Sequence, residues 1–450
     1  MIGAGDYGTE LVAQAVKHPL LSLPVIADID VEFAKKSFMV SGIPEEDIVI
    51  CDSRNSALKA IESGKRAVVQ DAMILMELPL DVIAEGTGET EPGAKFAYEA
   101  IKSGKHVAMI NKEADSAVGP ILKHYADKAN LVYTAVDGDQ HGLLMGMVSW
   151  ARSVGFEILC GGKFRDFECG YDPVEKKAAL GLCSGDYREF PIPREDIWAL
   201  DIMPHDKVEL YVNKRKEIMS AQPNAKIMGF DLCESLMMAN QMGLKPDTPA
   251  LHHPYLRYSE IASVLCLKED GGILEDTGIV DAVTAIIDKG GPTAGGGVFI
   301  VVACGNDYVG KSLAWSPMSN KKGTATTFFR NYHLTGLETH TSILCAALLG
   351  IPTGGDTYIP KYDMVRKAEI DLKAGYIMGD DHDRSLETLM IPSKKMADGT
   401  PISGHIAEGH KLLVDVPKGT VITYGMVEKP TDSFLWALRK EQDELFLKDV

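Results

Sequence analysis

Ile2-Gly3-Ala-Gly5-Asp-Tyr7-Gly8-Thr-Glu-Leu11-Val12, continued by Val25-Ile-Ala-Asp28, is the stretch on which the fold turns. Gly3, Gly5 and Gly8 form a G-x-G-x-x-G string. With 43 glycines in 450 residues, about 0.4 such strings arise by chance, so the surroundings must decide. Leu11, Val12, Ala15 and Val16 fall on one helical face that Pro19 ends. Asp28, at the end of the next apolar run, lies 20 residues after Gly8. A glycine turn running into a helix lets the backbone approach a pyrophosphate at the positive helix end, and an acid about 20 residues on accepts a ribose diol. Gly3, Ala4, Gly5, Tyr7, Gly8 and Asp28 are thus expected to hold NAD or NADP. The Asp28 charge favours NAD, while Lys35 and Lys36 downstream keep NADP open. Only Met1 and Ile2 precede Gly3, so the central strand of such a fold is expected to be missing or cut short.

Outward from this loop, short apolar runs alternate with amphipathic ones. Strands are expected at 23–28, 82–85 and 106–110, with a helix over 92–103, the rhythm of a doubly wound parallel sheet. Residues 1–140 are read as the dinucleotide-binding domain and 141–355 as an α+β substrate domain. Residues 356–450 are read as a small β-rich domain with a terminal helix, set off by a Pro/Gly-rich linker at 351–360. Within that tail Asp371-Leu-Lys-Ala-Gly375 and Asp415-Val-Pro-Lys-Gly419 form a weak internal repeat, expected as two related hairpins.

Composition narrows the partners. The net charge of −18 opposes nucleic acid and anionic membrane surfaces. No apolar run approaches the roughly 20 residues of a membrane helix. The start of the sequence has no secretory character, and the eight cysteines have no metal or disulfide spacing, which together point to a cytoplasmic chain with reduced thiols. An anionic small substrate would need a local basic site.

Candidates for that site follow the strands. Thr87 and Gly88, after the strand at 82–85, would line the nicotinamide side. Lys112, at the carboxyl edge of the next strand, is placed to hold a substrate hydroxyl or neutralise an alkoxide. Asp137 and Asp139, two apart in an extended segment, share a face and could bind one Mg or Mn ion. Lys226 and Asp231 precede a methionine-rich helix and could face the cofactor. Lys163, Lys321, Lys322, Arg330 and Tyr332 are candidates for the anionic end of the substrate, and His333 for a proton donor. An anion reading requires the basic residues at 112, 163, 226, 321–322 and 330 to converge.

In their order along the chain, Ile2-Gly-Ala-Gly5, Val82-Ile-Ala-Glu-Gly-Thr-Gly88, Asn111-Lys-Glu-Ala-Asp115, Gly138-Asp-Gln140, Gly305-Asn-Asp-Tyr-Val309, Arg330-Asn-Tyr-His-Leu334 and Leu337-Glu-Thr339 resemble the homoserine-dehydrogenase-like oxidoreductases with a C-terminal SAF domain. Within that group the chain is similar to the 1-deoxy-D-xylulose 5-phosphate reductoisomerase-like enzymes. The resemblance implies an NAD(P)H domain, an α+β catalytic and dimerisation domain, a β-rich SAF domain, and a homo-oligomer, dimer or tetramer. It also implies the reductive rearrangement of a phosphorylated ketose. Asn111-Lys112-Glu113 and Asp137-x-Asp139 further resemble metal-holding segments of the true reductoisomerases. The stretch Gly162–Gly170 and His141 depart from the family pattern beside the expected pocket, so substrate identity is not inherited. A homoserine-type or sugar-acid dehydrogenase, or a binding module without redox activity, are the alternatives.

Overall fold

In a computed structural model the described residues are 1–182, 187–222, 225–293, 295–314, 316 and 318–447. Cys183 and Ala294, which belong to the cysteine set and the glycine-rich bend read above, lie outside them. The seven described cysteines form no disulfide with one another, and six are buried. Among the described residues no helix is long and apolar enough to cross a membrane.

The chain forms two compact units. The first comprises Met1–Gly142, Leu334–Asp383 and Ser393–Val450; the second comprises Leu143–His333 and Arg384–Pro392. The 356–450 segment is thus divided: all but 384–392 packs with the dinucleotide unit.

Unit 1 is built on parallel strands β1 (Val25–Ala27), β2 (Ile48–Cys51), β3 (Arg66–Val69), β4 (Val82–Glu85), β5 (His106–Met109) and β6 (Tyr133–Ala135). They pair in the orders β2-β3-β1 and β4-β5-β6, all parallel. Between the two halves stands Ile2, with parallel bridges to Ala27 and Glu85. Its N–H donates to Ala84 O and its carbonyl accepts from Gly86 N. Ile2 thus stands in the central place of the sheet, and the order is that of a doubly wound sheet. Helices α1 (Asp6–Ala15), α2 (Val31–Val40), α3 (Arg54–Glu62), α4 (Met73–Met76), α5 (Thr90–Lys102) and α6 (Lys112–Lys128) connect the strands. α1 buries Leu11, Val12 and Ala15 against Ile26, Phe38, Val68 and Ala84. The strands at 48–51 and 66–69 are additional to the expected ones: Ile48-Val-Ile-Cys51 is an unbroken apolar run, whereas Arg66-Ala-Val-Val69 has only three apolar residues in a row. They exist because β3 sits between two parallel neighbours.

The tail repeat closes on itself. Leu372 and Val416 exchange both backbone hydrogen bonds. Asp371 Oδ1 accepts from Lys418 N and Asp415 Oδ1 accepts from Ala374 N, each at 2.8–2.9 Å. Gly375 and Gly419 donate to Leu412 and Ala368, the residues three before each aspartate. The two copies clasp each other about a local pseudo-two-fold axis, and the β-rich tail is held by antiparallel bridges of this kind.

α7 (Gln140–Ser153) leads into unit 2. Its mixed sheet runs β10-β9-β8-β13-β7-β14-β15, with β11 and β12 also pairing β13. The strands are β7 (Ile158–Phe164), β8 (Phe167–Asp172), β9 (Lys177–Leu182), β10 (Tyr187–Phe190), β11 (Lys245–Pro246), β12 (Tyr255–Leu256), β13 (Ile279–Asp288), β14 (Val298–Ala303) and β15 (Ala325–Arg330). Leu159, Phe164, Val283, Phe299 and Val301 form its core. Helices α8 (Val208–Ser220) and α9 (Gly229–Met242) belong to the same unit, and α9 packs on β13 and β7.

Candidate functional site

The cofactor loop of unit 1 is shaped by sterics. Gly3 has φ +85°, and a Cβ there would lie 2.4 Å from Gly86 O. Gly3→Ala should destabilise the fold by more than about 2 kcal/mol, from left-handed strain plus the clash; thermal unfolding reads this. Gly5 differs: nothing lies within 4 Å of the position a Cβ would take. It is the N-cap of α1 and no side chain caps that end, so the first backbone N–H groups are available to an anion. Asp28 Oδ2 accepts from Ala4 N at 2.7 Å and Oδ1 from Asp30 N at 2.8 Å. The carboxylate thus braces the glycine loop and keeps lone pairs for a diol. Lys35, read as able to offset a 2′-phosphate, is paired with Glu45 at 2.6 Å. These residues fit a nicotinamide dinucleotide.

Across the crevice, Thr87 N donates to Glu85 Oε1 at 3.0 Å. Asn111 Nδ2 donates to Thr87 Oγ1 and Glu89 O, while Asn111 Oδ1 caps α6 through Ala114 N. Lys112 is the first residue of α6, where a cation opposes the helix dipole and Glu113 and Asp115 in the same turn offset it. Glu85 is fully buried, and burial pushes its carboxyl up to about 7. Asp115, also fully buried, is likewise pushed up to about 7, while accepting from the Tyr133 hydroxyl at 2.7 Å.

Tyr7 does not extend into open space: its hydroxyl lies 2.7 Å from Thr339 Oγ1. Burial, then Asp139, raises its pKa well above the usual value. Asp139 accepts from Gln140 N at 2.7 Å and stands 3.7 Å from His141 Nδ1. Among the described residues, no third ligating side chain joins Asp137 and Asp139 at one point.

In unit 2 the structure brings Lys163 and Asp231 together. Lys163, fully buried, pairs with Glu234 Oε2 at 2.5 Å and Asp231 Oδ1 at 3.2 Å; Arg165 Nε pairs with Asp231 Oδ2 at 2.8 Å. Burial alone would raise Asp231, but the Arg165 and Lys163 charges outweigh it and hold the carboxyl at about 2. Asp231 stays ionised and anchors the Lys163 and Arg165 cations. Two basic residues at i, i+2 along β7 and two acids at i, i+3 on α9 share one face each. That spacing is the signal that would have added Arg165 and Glu234 to the candidates.

Beside this cluster, Gly296 lies between His333 and Asp166. A Cβ there would be 2.7 Å from His333 Nδ1 and 3.2 Å from Asp166 Oδ1. His333 Nδ1 is 2.5 Å from Gly296 O. Burial raises the Asp166 pKa, with Lys163 and His333 working against it. Asp166, absent from the sequence candidates, is therefore a carboxyl of unit 2 within electrostatic reach of His333.

The expected grip of Arg330 with Lys321 and Lys322 is not formed. The lysines precede β15 and Arg330 ends it, and six residues of strand span roughly 20 Å. Lys321 and Lys322 are exposed, and Lys322 Nζ donates to Glu269 O. Lys226 is also exposed, whereas the Arg330 guanidinium lies 5.9 Å from the centre of the half-exposed Tyr332 ring. Residues near in sequence were grouped that an extended strand carries apart.

No curated protein matches the chain. Among solved structures, the chain is similar to a putative oxidoreductase, yvaA, from Bacillus subtilis (15% identity, 38% of this chain and 44% of that one, TM-score 0.25). It is similar to KijD10, a 3-ketoreductase from Actinomadura kijaniata in complex with TDP-benzene and NADP (14% identity, 42% and 66%, TM-score 0.25). A third is 1-deoxy-D-xylulose 5-phosphate reductoisomerase from Zymomonas mobilis in complex with NADPH (14% identity, 52% and 55%, TM-score 0.29). The chain spans less than two thirds of each of these three chains. Residues 228–339, which include Asp231, Glu234, Gly296 and His333, match the family described as "Oxidoreductase DRL, catalytic domain". With the glycine loop and doubly wound sheet of unit 1, that match supports an NAD(P)-dependent oxidoreductase.

Proposed function

We propose that this oxidoreductase reduces a small anionic hydroxycarbonyl, phosphorylated substrates included, by a reductoisomerase-like reaction. The observation that carries the cofactor half is the open, uncapped start of α1 at Gly5 beside Asp28. The dinucleotide supplies the hydride when bound. Gly3, Ala4, Gly5, Gly8 and Asp28 would hold it, and Thr87 and Gly88, kept in place by Glu85 and Asn111, would support the nicotinamide side. Lys112, at the carboxyl edge of the sheet, would stabilise the forming alkoxide. His333 with Asp166 is read as the proton-exchanging pair, and Arg330 as an anion contact. Lys163 and Arg165 keep Asp231 ionised and, with Glu234, fix the face of α9. The fold resemblance and the reduced cysteines favour a cytoplasmic homo-oligomer, dimer or tetramer.

A dehydrogenase of homoserine type or of a sugar acid, without isomerisation, is the second reading. It needs neither the Asp137–Asp139 pair nor an isomerisation step. Oxidation of NADH and NADPH with 1-deoxyxylulose 5-phosphate, aspartate semialdehyde and a panel of sugar acids, with and without Mg or Mn, separates the two. The reductoisomerase reading expects turnover of the phosphorylated ketose; turnover of the semialdehyde or a sugar acid alone removes it. For the cofactor, Asp28→Asn removes the charge that opposes a 2′-phosphate. It should shift the NADP-to-NAD affinity ratio at least about tenfold toward NADP, read by fluorescence titration of each dinucleotide.

A further inference from the structure

A chain of buried polar groups in unit 1 is absorbed neither by the cofactor site nor by the core. His405, in a short helical turn of the C-terminal segment, places Nδ1 2.6 Å from Ser116 Oγ. On the other side its Nε2 stands 3.3 Å from Asp381 Oδ2. Asp381 Oδ1 accepts from Arg366 Nη2 at 2.6 Å. Ser116, His405, Asp381 and Arg366 are all at least nine-tenths buried. Ser116 lies one turn after Lys112 on α6, and its hydroxyl also donates to Glu113 O at 3.0 Å.

Counting protons makes this arrangement two-state. The serine has one O–H. When it donates to Glu113 O, Nδ1 must carry a proton to bond Ser116 Oγ, and Nε2 must carry one to face the Asp381 carboxylate, so the ring is an imidazolium. When the ring is neutral with its proton on Nε2, Nδ1 can only accept. The Ser116 hydroxyl must then turn from Glu113 O to the ring. Ring protonation and the hydrogen bonding of the first turn of α6 are thus one event.

We propose that His405 is a positioning residue for the Lys112-bearing turn of α6, its protonation state deciding whether Ser116 donates to the Glu113 carbonyl or to the imidazole. The consequence for catalysis rests on the role proposed above for Lys112; the coupling itself does not. Within unit 1, the charged groups acting on the ring are Asp381, with Arg366 behind it, Glu113 from α6, and Glu408 from the ring's own segment. Asp381 is ionised: burial would raise its pKa, but His405 and Arg366 outweigh it and hold it well below the usual carboxylate range.

The test is histidine-selective ¹⁵N NMR on the full chain between pH 5 and 9, with backbone amides of 112–116 followed in the same samples. The expected result is one midpoint shared by the His405 nitrogens and the 113–116 amides, with the neutral ring protonated on Nε2. Asp381→Asn should lower that midpoint by at least one pH unit, since it removes the facing negative charge. Ser116→Ala should leave His405 titrating while the 113–116 amides stop following it. Amides that ignore the His405 midpoint in the unaltered chain, or that still follow it in Ser116→Ala, overturn the proposal. Because neither readout needs turnover, loss of the oxidoreductase reading would leave this result standing. Where turnover is present, His405→Gln should remove the matching limb from the kcat–pH profile while dinucleotide affinity holds. An unchanged limb would show that His405 does not position Lys112.

Discussion

Lys163→Met should lower the stability of the protein by about 3 to 5 kcal/mol, and adding Glu234→Gln should return at least half of that loss. The asymmetry follows from where the charges lie. Lys163, Asp231 and Glu234 are at or near zero exposure, so each ion was stripped of water and is tolerated only because it has a partner. Methionine keeps the bulk of the lysine stem but leaves Glu234 buried without the ammonium at 2.5 Å. Asp231 suffers less because Arg165 still holds Oδ2. Neutralising Glu234 removes the buried charge that faced the ammonium, which is why the double variant should exceed the single one. A double-mutant cycle in urea reads the coupling directly. Equal losses in the single and double variants would mean that the pair is solvated, contrary to the structure.

The second large effect is a fall in stability with rising pH. Asp115 and Glu85 are each pushed up to about 7 by burial. In the unfolded chain both ionise near pH 4. Their contribution is fully present below that unfolded value and is lost as pH rises through about 7, because the folded state must then either hold the proton or bury a charge. Between pH 5 and 8, Asp115 alone accounts for about 2 to 3 kcal/mol. Asp115→Asn keeps the acceptor for the Tyr133 hydroxyl and removes the titration, so the pH 5-to-8 difference should shrink by that amount. Glu85→Gln should act in the same direction. Asp231, held at about 2, has the opposite sign and contributes stability that is lost only as pH falls through that value. A slope unchanged in Asp115→Asn would show that this carboxyl is already ionised in the folded chain.

What the sequence made legible is what local chemistry determines. The strand at 82–85 appears with the bounds expected, because four apolar-to-acidic residues end at a glycine turn. The tail repeat was visible because Asp-x-x-x-Gly carries its own turn chemistry, and the reciprocal bonds of Asp371 and Asp415 show why it is repeated. Gly5 and Asp28 were legible for the same reason. Arg165, Glu234 and Asp166 were not, since their roles depend on a helix crossing a strand 66 to 71 residues away in sequence. Lys321, Lys322 and Arg330 were grouped by proximity along the chain, and the strand between them undoes that grouping. The place of Ile2 at the centre of the sheet is set by bonds to two flanking strands 25 and 83 residues away in sequence, which no local pattern displays.

The central claim, a dinucleotide seated on the Gly5 end of α1, is tested most directly by titrating NADH and NADPH into the unaltered protein and into Gly5→Ala, with thermal unfolding of both. Because a Cβ at Gly5 meets nothing within 4 Å, the variant should unfold at an unchanged temperature. It should bind the preferred dinucleotide at least about tenfold more weakly, since the methyl takes the space of the pyrophosphate. Equal affinity in the two proteins, or no affinity of the unaltered protein for either dinucleotide, would contradict the account.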